Sequence, residues 1–336
     1  MEKMNENSAD WLWQELMDEY FFCKSLREDT EWSYKKVVRG FRKHIGEACP
    51  PYGITSRDVL EWRRHVLKKQ CLSAHTWNNK VSHMRALYNF AITSQLTNLS
   101  KNPFNGVSVK QDKKRKKTLT KNQMTKIWLT MQQFASEPRT ESKCALRPVW
   151  YWLTVLDTLR YTGMRQNQLL HIRLKDVSLD DGWIELRAEG SKTYREWRVP
   201  VVSHLRPRLE ALLQRARDCG AGNNDALFHY ERFVSSPAER ASLSEKPSLQ
   251  PLRSFFRRLS KECGFDVSPH RFRHTLATTL MSSPERNLQL VKGLLGHRNV
   301  STTMEYVDIS MDIVSQALEK EMALYTDKAE EMFYNG

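Results

Sequence analysis

The chain has 336 residues, of which 40% are hydrophobic and 27% are charged, which excludes an intrinsically disordered protein and fits one large or two ordinary globular domains. Lysine and arginine (53) outnumber aspartate and glutamate (39), and the net charge of +14 predicts a polyanionic partner, either nucleic acid or an anionic membrane surface. Because no apolar run approaches the roughly 18 residues of a spanning helix and the N-terminus has no apolar signal region, we expect a cytoplasmic protein without a membrane partner.

The N-terminal third predicts an all-helical domain, from about residue 8 to residue 104. Mixed helical periodicity runs through residues 9–24 and 30–45, and residues 56–69 begin after a Thr/Ser cap. One further helix is predicted by apolar residues that recur on a single face: Trp77, Val81, Met84, Leu87, Tyr88, Ala91 and Ile92. Asn102-Pro103 ends this bundle, because a residue that precedes proline is disfavoured in the helical region.

A strongly basic segment follows at residues 110–121. It holds seven basic residues, Lys110, Lys113, Lys114, Arg115, Lys116, Lys117 and Lys121, against a single acid, Asp112. Such a block repels itself and stays extended without a counter-charge. It is either a solvated linker or a strap that lies on phosphates, and the charge of the whole chain favours the strap. In both cases the segment marks a domain boundary.

The pattern beyond the basic segment mixes helices with a few strands. Residues 146–162 predict a long apolar helix that ends at Gly163, and residues 183–187 and 197–201 predict a β-hairpin. Residues 220–246 are polar and predict irregular structure. Five further segments predict helices: residues 204–218, 248–263, 269–281, 286–295 and 310–325.

Four short motifs in this second part carry chemically capable side chains. In chain order they are T-G-M-R ending at Arg165, S-K-T around Lys192, H-R-F-R-H-T with His270 and Arg273, and L-G-H ending at His297 with Tyr306 nine residues later. Each motif alone has a structural explanation: a helix cap, an exposed hairpin tip, a histidine bonded to backbone, or packing beside a turn. A phenol with a pKa near 10 is a poor nucleophile unless its surroundings help it.

Taken together, the motifs form a set suited to phosphoryl transfer. Two arginines can grip the oxygens of a phosphate and stabilise charge in the transition state. Two histidines can donate hydrogen bonds or move a proton, and a lysine can protonate a leaving alkoxide. The tyrosine is then a nucleophile whose phenolate is stabilised by the surrounding cations.

The order Arg–Lys–His-x-x-Arg–His–Tyr resembles the tyrosine recombinase (phage integrase) family over nearly the whole chain. The matching boxes are Thr162-Gly163-Met164-Arg165, Lys192 in S-K-T, His270 to Thr275, and Leu295-Gly296-His297 with Tyr306. The resemblance implies a mainly α fold with a small β-sheet: a helical core-binding domain at residues 1–105, a basic linker at 106–119 and a catalytic domain with a C-terminal helix at 120–336. The two domains of such proteins form a C-shaped clamp on DNA.

The resemblance also implies a mechanism without metal, ATP or another cofactor. The phenolate of Tyr306 attacks a DNA phosphodiester to give a 3′-phosphotyrosine, and strands are exchanged through a four-way junction. Arg165, Arg273, His270 and His297 meet the charge at the phosphate, and Lys192 is the candidate general acid. The sequence also argues against a metal site. The six cysteines are dispersed and form no C-x-x-C pair, and the i, i+4 pair His270/His274 lies beside an arginine, a poor neighbour for a metal cation.

Partners follow from the same resemblance. They are double-stranded DNA recombination sites, a homotetramer in the synaptic complex and, where a site requires them, DNA-bending accessory proteins; the protein is expected to be nucleoid-associated. Predicted DNA contacts lie at Asn79 and Lys80, and along the basic segment at Lys113, Lys114, Arg115, Lys116 and Lys117. An apolar stripe on the helix at residues 310–325 packs either on its own catalytic domain or, as the family pattern suggests, on the neighbouring subunit.

One position departs from the family pattern. The family usually carries an acid three residues after the first arginine, whereas this chain has Gln168, which cannot pair with an arginine as an ion. Two alternatives to a recombinase stay open: a type IB topoisomerase, which nicks and reseals one duplex with a similar set of residues, and a non-catalytic DNA-binding protein on the same scaffold. The six intact catalytic positions argue against the second.

Overall fold

In the computed structural model the chain forms two compact units, residues 1–114 and 115–336. The structure describes residues 6–111, 117–136, 144–190, 196–282, 288–296, 299–304 and 306. The predicted C-terminal helix at 310–325 therefore lies outside the described residues. Within the described ranges no helix is both long and apolar enough to cross a membrane.

Helices build the first unit throughout. They are α1 (Glu6–Lys24), α2 (Glu28–Ile45), α3 (Ser56–Arg64) and α4 (Ala74–Thr93), with a 3-10 turn at Pro51–Gly53 and a π-helical turn at His65–Lys69. The predicted cap before α3 is Thr55, whose side chain accepts a hydrogen bond from the backbone of Asp58 while the Asp58 carboxylate accepts one from Thr55. All the predicted core residues of α4 except Ile92 are fully buried.

Aromatic side chains dominate the core of the first unit. Trp13, Trp62 and Trp77 are almost completely buried, and the Trp77 indole donates a hydrogen bond to the carbonyl of Val107 at 2.9 Å. Because this contact reaches from α4 to the segment after the bundle, it fixes that segment against the helices. Asn102 is buried and donates to the carbonyl of Arg85 at 2.9 Å, which anchors the turn where the bundle ends.

The second unit combines ten helices in its described part with one small sheet. The helices are α5 (Lys121–Ser136), α6 (Val149–Thr162), α7 (Gln166–Leu170), α8 (Arg206–Asp218), α9 (Tyr230–Val234), α10 (Pro237–Arg240), α11 (Gln250–Cys263), α12 (Pro269–Met281), α13 (Leu288–Leu295) and α14 (Val300–Met304). The strands are β1 (Val177–Ser178), β2 (Trp183–Leu186) and β3 (Trp197–Pro200). The mainly α fold with a small β-sheet that the sequence predicts is confirmed.

The sheet is antiparallel in the order β1-β2-β3, and Ile184 pairs with Val199 in the predicted hairpin. Two expectations need correction. The strand β1 was not predicted, since two residues carry too little alternation to be recognised. Residues 220–246 are also less irregular than expected, because they contain α9 and α10, and α10 begins with a capping box between Ser236 and Glu239.

The helix α6 runs through the centre of the second unit. Ten of its residues are buried, and it packs against α5, α8 and α12. It begins at Val149 rather than at the predicted residue 146, because Pro148 occupies the N-cap position in an extended conformation. Its single buried acid, Asp157, is paired with Arg208 of α8 at 2.6 Å. The first arginine motif begins at the C-terminal end of α6.

Candidate active site

Arg165 is positioned by two turns of backbone. The C-cap of α6, Gly163, lies in the left-handed region at φ 60°, where a residue without a Cβ avoids strain. The chain then reverses, and the backbone N–H of Arg165 donates to the side-chain oxygen of Gln168 at 2.9 Å. Gln168 is 2% exposed, so the neutral amide caps the start of α7 and fixes the backbone of Arg165 without an ion pair.

The side chain of Arg165 is half-buried. Its Nη1 atom is buried without a hydrogen-bond partner among the described residues, and so is Nε2 of Gln168. Burial lowers the pKa of Arg165, while the nearby phenol of Tyr306 acts in the opposite direction. Donors buried in this way cost about 1–3 kcal/mol each, and they are well placed to meet the oxygens of an anionic ligand.

Arg273 connects the ends of two helices. It lies on α12 at 4% exposure, and its guanidinium donates to the carbonyl of Gly163 at 2.8 Å and to that of Leu295 at 2.7 Å. Burial, followed by the charge of Arg165, lowers the pKa of Arg273 to about 10, and a hydrogen bond with Tyr306 opposes this shift. Arg273 therefore stays a cation at neutral pH and holds the first and last motifs together.

Tyr306 lies beside both arginines. It is 5% exposed and its ring packs against Ala277, Val291 and Leu295. Its hydroxyl is hydrogen-bonded to Arg273 and lies 3.0 Å from Nδ1 of His274. The ring of Tyr306 therefore packs in an apolar cluster, which agrees with the structural explanation that this tyrosine packs beside a turn. Its hydroxyl, in contrast, lies among polar groups. The arrangement can offset negative charge at a phosphate that this hydroxyl attacks.

His274 is the residue that sequence reasoning missed. It appears in the H-R-F-R-H-T box and in the rejected metal pair, yet was assigned no role. Its ring lies 6.4 Å from that of His270, one turn earlier on α12, and 5.5 Å from that of Tyr306. His270 itself is exposed whereas Arg273 is buried, so the two predicted residues of this box do not share an environment. The four-residue spacing of the histidines was the available signal.

The strand β3 supports the turn that leads into the last motif. The indole of Trp197 donates a hydrogen bond to the carbonyl of Leu294 at 3.1 Å. The next carbonyl, that of Leu295, accepts a hydrogen bond from Arg273. Gly296 follows at φ 62°, and a Cβ added to it would lie 2.4 Å from the Trp197 ring. Only glycine therefore fits this turn. The C-terminal carbonyls of α13 are capped by one aromatic and one cationic side chain.

Two predicted catalytic residues, Lys192 and His297, lie outside the described part of the chain. The base of the predicted lysine hairpin is described up to Gly190. A Cβ on Gly190 would lie 2.9 Å from the Cα of Gln168, and Asn167 donates to the Gly190 carbonyl at 3.3 Å. The last described residue before the hairpin tip therefore packs tightly on α7, next to Arg165.

The predicted DNA-contacting residues are only partly described. Lys113, Lys114, Arg115 and Lys116 lie outside the described ranges, whereas Lys117 is exposed and its Nζ is 3.9 Å from the carboxylate of Asp266.

In the first unit Asn79 is exposed on α4, and Lys80 lies over the Trp62 ring at 5.7 Å. Burial lowers the pKa of Lys80, and the positive charge of Lys36 on α2 lowers it further.

Carboxylates near the site are engaged with cations. Asp176 is buried, and its two carboxylate oxygens share the Nε–H of Arg187 at 2.8 Å each, while Nη2 of Arg187 donates to Oδ1 at 2.5 Å. Arg173 pairs with Glu189 at 3.2 Å. Across the residues that the structure describes, no group of three or more His, Cys, Asp or Glu side chains is arranged to hold a metal ion.

Comparison with known proteins places the chain in a family. The model of the phage integrase family matches residues 117–312, and that of the phage integrase N-terminal SAM-like domain matches residues 12–97. A "Putative tyrosine recombinase XerC" of Pseudomonas aeruginosa is 37% identical over 302 residues, covering 89% of this chain and 69% of that protein. A protein of the same name from Pseudomonas syringae is 33% identical over 308 residues, covering 91% of this chain and 63% of its own length.

Solved structures share the fold at low sequence identity. A Tn1549 transposon integrase, in complex with a circular intermediate DNA, matches with a TM-score of 0.67 and 18% identity over 91% of this chain and 98% of its own. A lambda integrase tetramer bound to a Holliday junction matches with a TM-score of 0.61 and 18% identity over 88% and 77%. The recognition made from the motif order is confirmed: this chain belongs to the phage integrase family, whose members are the tyrosine recombinases.

Proposed function

We propose that this protein is a site-specific DNA recombinase in which the Tyr306 hydroxyl attacks a DNA phosphodiester. The observation that carries the proposal is the placement of this hydroxyl, hydrogen-bonded to Arg273 and electrostatically coupled to Arg165. Two fixed cations beside one hydroxyl can hold the phosphate that it attacks and offset the charge of the transition state. The reaction joins the 3′-phosphate to Tyr306 and frees a 5′-hydroxyl. The 5′-hydroxyl of a partner duplex then attacks the phosphotyrosine, which re-forms a phosphodiester and releases Tyr306.

We assign the remaining roles by the motifs that the family membership supports. Arg165 and Arg273 bind the non-bridging oxygens, His270 and His297 add hydrogen bonds to them, and Lys192 protonates the leaving 5′-oxygen. The backbone N–H of Arg165 donates to the side chain of Gln168, which supports this role for Arg165 although the usual acid is missing. The phosphate ester is conserved at each step, so the proposal needs neither metal nor ATP.

DNA is the partner that fits the charge of +14. We propose that Asn79 and Lys80 of the first unit contact the duplex and that the basic segment, residues 113–117, lies along its phosphates. The proposed domain limits are those expected from the sequence: core-binding at 1–105, linker at 106–119 and catalytic at 120–336.

The proposed assembly is a homotetramer on two recombination sites, in line with the lambda integrase tetramer whose fold the chain shares. The segment at 312–336 is the proposed link between subunits. Deleting it should spare the binding of one protomer to a half-site and abolish recombination between plasmids. A truncated protein that still recombines would assign the segment a role within its own subunit. Loss of recombination in purified protein, restored by a cell extract, would identify a need for accessory proteins.

The test of the catalytic proposal begins with DNA selected by binding from a random duplex pool. Selected duplexes carrying a nick that traps the cleaved state are incubated with wild type, Tyr306→Phe and the matched control Tyr161→Phe. We expect a covalent adduct with wild type and Tyr161→Phe, and none with Tyr306→Phe although it binds DNA equally well. An adduct with Tyr306→Phe would move the nucleophile to another residue.

The same protein separates the recombinase from the topoisomerase alternative. With two selected sites on one supercoiled plasmid, a recombinase yields inverted or deleted products. Relaxed circles without any recombinant product would favour the nicking–closing reaction.

A further inference from the structure

The Tyr306 hydroxyl has two polar neighbours with opposite hydrogen-bonding character. A guanidinium offers only donors, so the phenol oxygen accepts from Arg273. The phenolic proton can then be donated to Nδ1 of His274, which lies 3.0 Å from the same oxygen. In the tautomer that carries its proton on Nε2, His274 offers Nδ1 as the acceptor for the phenolic proton.

We infer that His274 is the base that takes the phenolic proton when Tyr306 attacks DNA, an assignment that rests on the proposed function. As the tyrosine oxygen–phosphorus bond forms and the phosphorus–5′-oxygen bond breaks, the proton passes to Nδ1 of His274. The leaving 5′-oxygen receives its proton from a different group. In strand joining the steps reverse, and His274 returns its proton to the tyrosine oxygen, so the cycle is balanced without any further reagent.

The two arginines at the site cannot accept the phenolic proton. Arg273 and Arg165 keep their protons at neutral pH and act only as donors, although burial lowers the pKa of each. An imidazole has an ordinary pKa of about 6.5, so its neutral form dominates above that pH and can accept a proton within the normal operating range. His274 is also half-buried, which holds its ring in place beside the phenol.

The charged surroundings of His274 come from the helices that pack on α12. On α12 itself they are His270, whose ring stacks at 6.4 Å, Arg273, and Arg271, which is paired with Asp266 at 4.0 Å. The helix α13 contributes Lys292, and α14 has no charged residue among those described. On α6, Asp157 is paired with Arg208, and Arg160 lies over the Trp128 ring at 5.0 Å. Thus both charged groups of α6 are engaged with other elements.

The experiment compares wild type with His274→Asn. The asparagine side chain can accept a hydrogen bond near the position of Nδ1 but cannot take a proton at neutral pH. The rate of covalent adduct formation on the trapping duplex is measured from pH 5.5 to 9.5, with binding measured in parallel. His204→Asn is the control, because His204 is exposed in the same unit and lies 70 residues before His274 in the chain.

We expect His274→Asn to bind DNA normally and to form the adduct about 10²–10⁴-fold more slowly at pH 7. In wild type and His204→Asn, the rate should rise with pH through the imidazole range and then level off. In His274→Asn this step should disappear, and the rate should keep rising toward the ionisation of the phenol. If the asparagine variant does not fold, His274→Gln, which has the same chemistry on a longer stem, replaces it.

Two results would overturn the assignment. One is a wild-type rate in His274→Asn; the other is a reduced rate with the wild-type pH profile, which would make His274 only a positioning residue. If wild type forms no adduct while it binds the selected DNA, the proposed function itself fails, and the inference fails with it. The wild-type adduct therefore distinguishes the two failures.

Discussion

Substituting alanine for Gly296 should destabilise the second unit and displace the last motif. Gly296 lies at φ 62°, and a left-handed conformation costs a residue with a Cβ about 1–2 kcal/mol. The added Cβ would also lie 2.4 Å from the indole of Trp197, a rigid ring that must move. Overpacking of this kind costs about 1–3 kcal/mol, and loss of the indole bond to the Leu294 carbonyl adds about 0.5–1.5 kcal/mol. The sum is about 2.5–6.5 kcal/mol.

Gly264 provides the matched control. It caps α11 at φ 75°, and a Cβ there would meet no atom within 4 Å. Gly264→Ala should therefore show only the conformational cost of about 1–2 kcal/mol. Urea unfolding followed by tryptophan fluorescence measures both variants, and adduct formation below the transition measures the effect on Tyr306. Equal destabilisation by the two substitutions would refute the claim that Trp197 packs on this turn.

Three further predictions concern charge. Lys192→Ala should be severely slow on normal DNA but largely rescued by sulfur at the 5′-bridging position, whose thiolate leaves without a proton; equal defects on both substrates would contradict acid catalysis. Neutralising the five cations at residues 113–117 should reduce the slope of log binding constant against log salt by up to about 4.5 and weaken binding to all sequences alike. An unchanged slope would make the segment a solvated linker. His229 lies 3.2 Å from the Glu231 carboxylate and 2.9 Å from the Ser244 carbonyl, contacts that raise its pKa. Protonated His229 therefore stabilises the folded protein fully below about pH 6.5, and this stabilisation is lost as the pH rises through the raised pKa of His229. The urea midpoint of wild type should exceed that of His229→Gln at pH 6 and approach it at pH 8.5. A difference that does not change with pH would contradict this.

Local signals in the sequence predicted most of the helices. The cap before α3, the glycine at the end of α6 and the whole of α12 follow from rules that act within a few residues. Pro148 shifted the start of α6, which a closer application of the same rules would have anticipated. The helix α5 escaped prediction beside the basic segment, because only Ile127 and Met131 are fully buried on it.

The contacts that make the site are long-range, and no local pattern encodes them. His274 and Tyr306 are 32 residues apart, and Trp197 and Leu294 are 97 apart. Their meeting depends on how α12, α13 and β3 pack, which is determined by the fold of the unit. The motif order nevertheless predicted that Arg165, Arg273 and Tyr306 come together, because a shared chemistry requires those residue types at one phosphate.

Peptide mapping of the trapped protein–DNA adduct by mass spectrometry tests the central claim most directly. Wild type is bound to the selected nicked duplex, the adduct is digested with protease and nuclease, and the nucleotide-bearing peptide is sequenced. The account predicts a single modified residue, Tyr306, linked to a 3′-phosphate. A nucleotide on another side chain such as Tyr194, or a linkage to a 5′-phosphate, would contradict it.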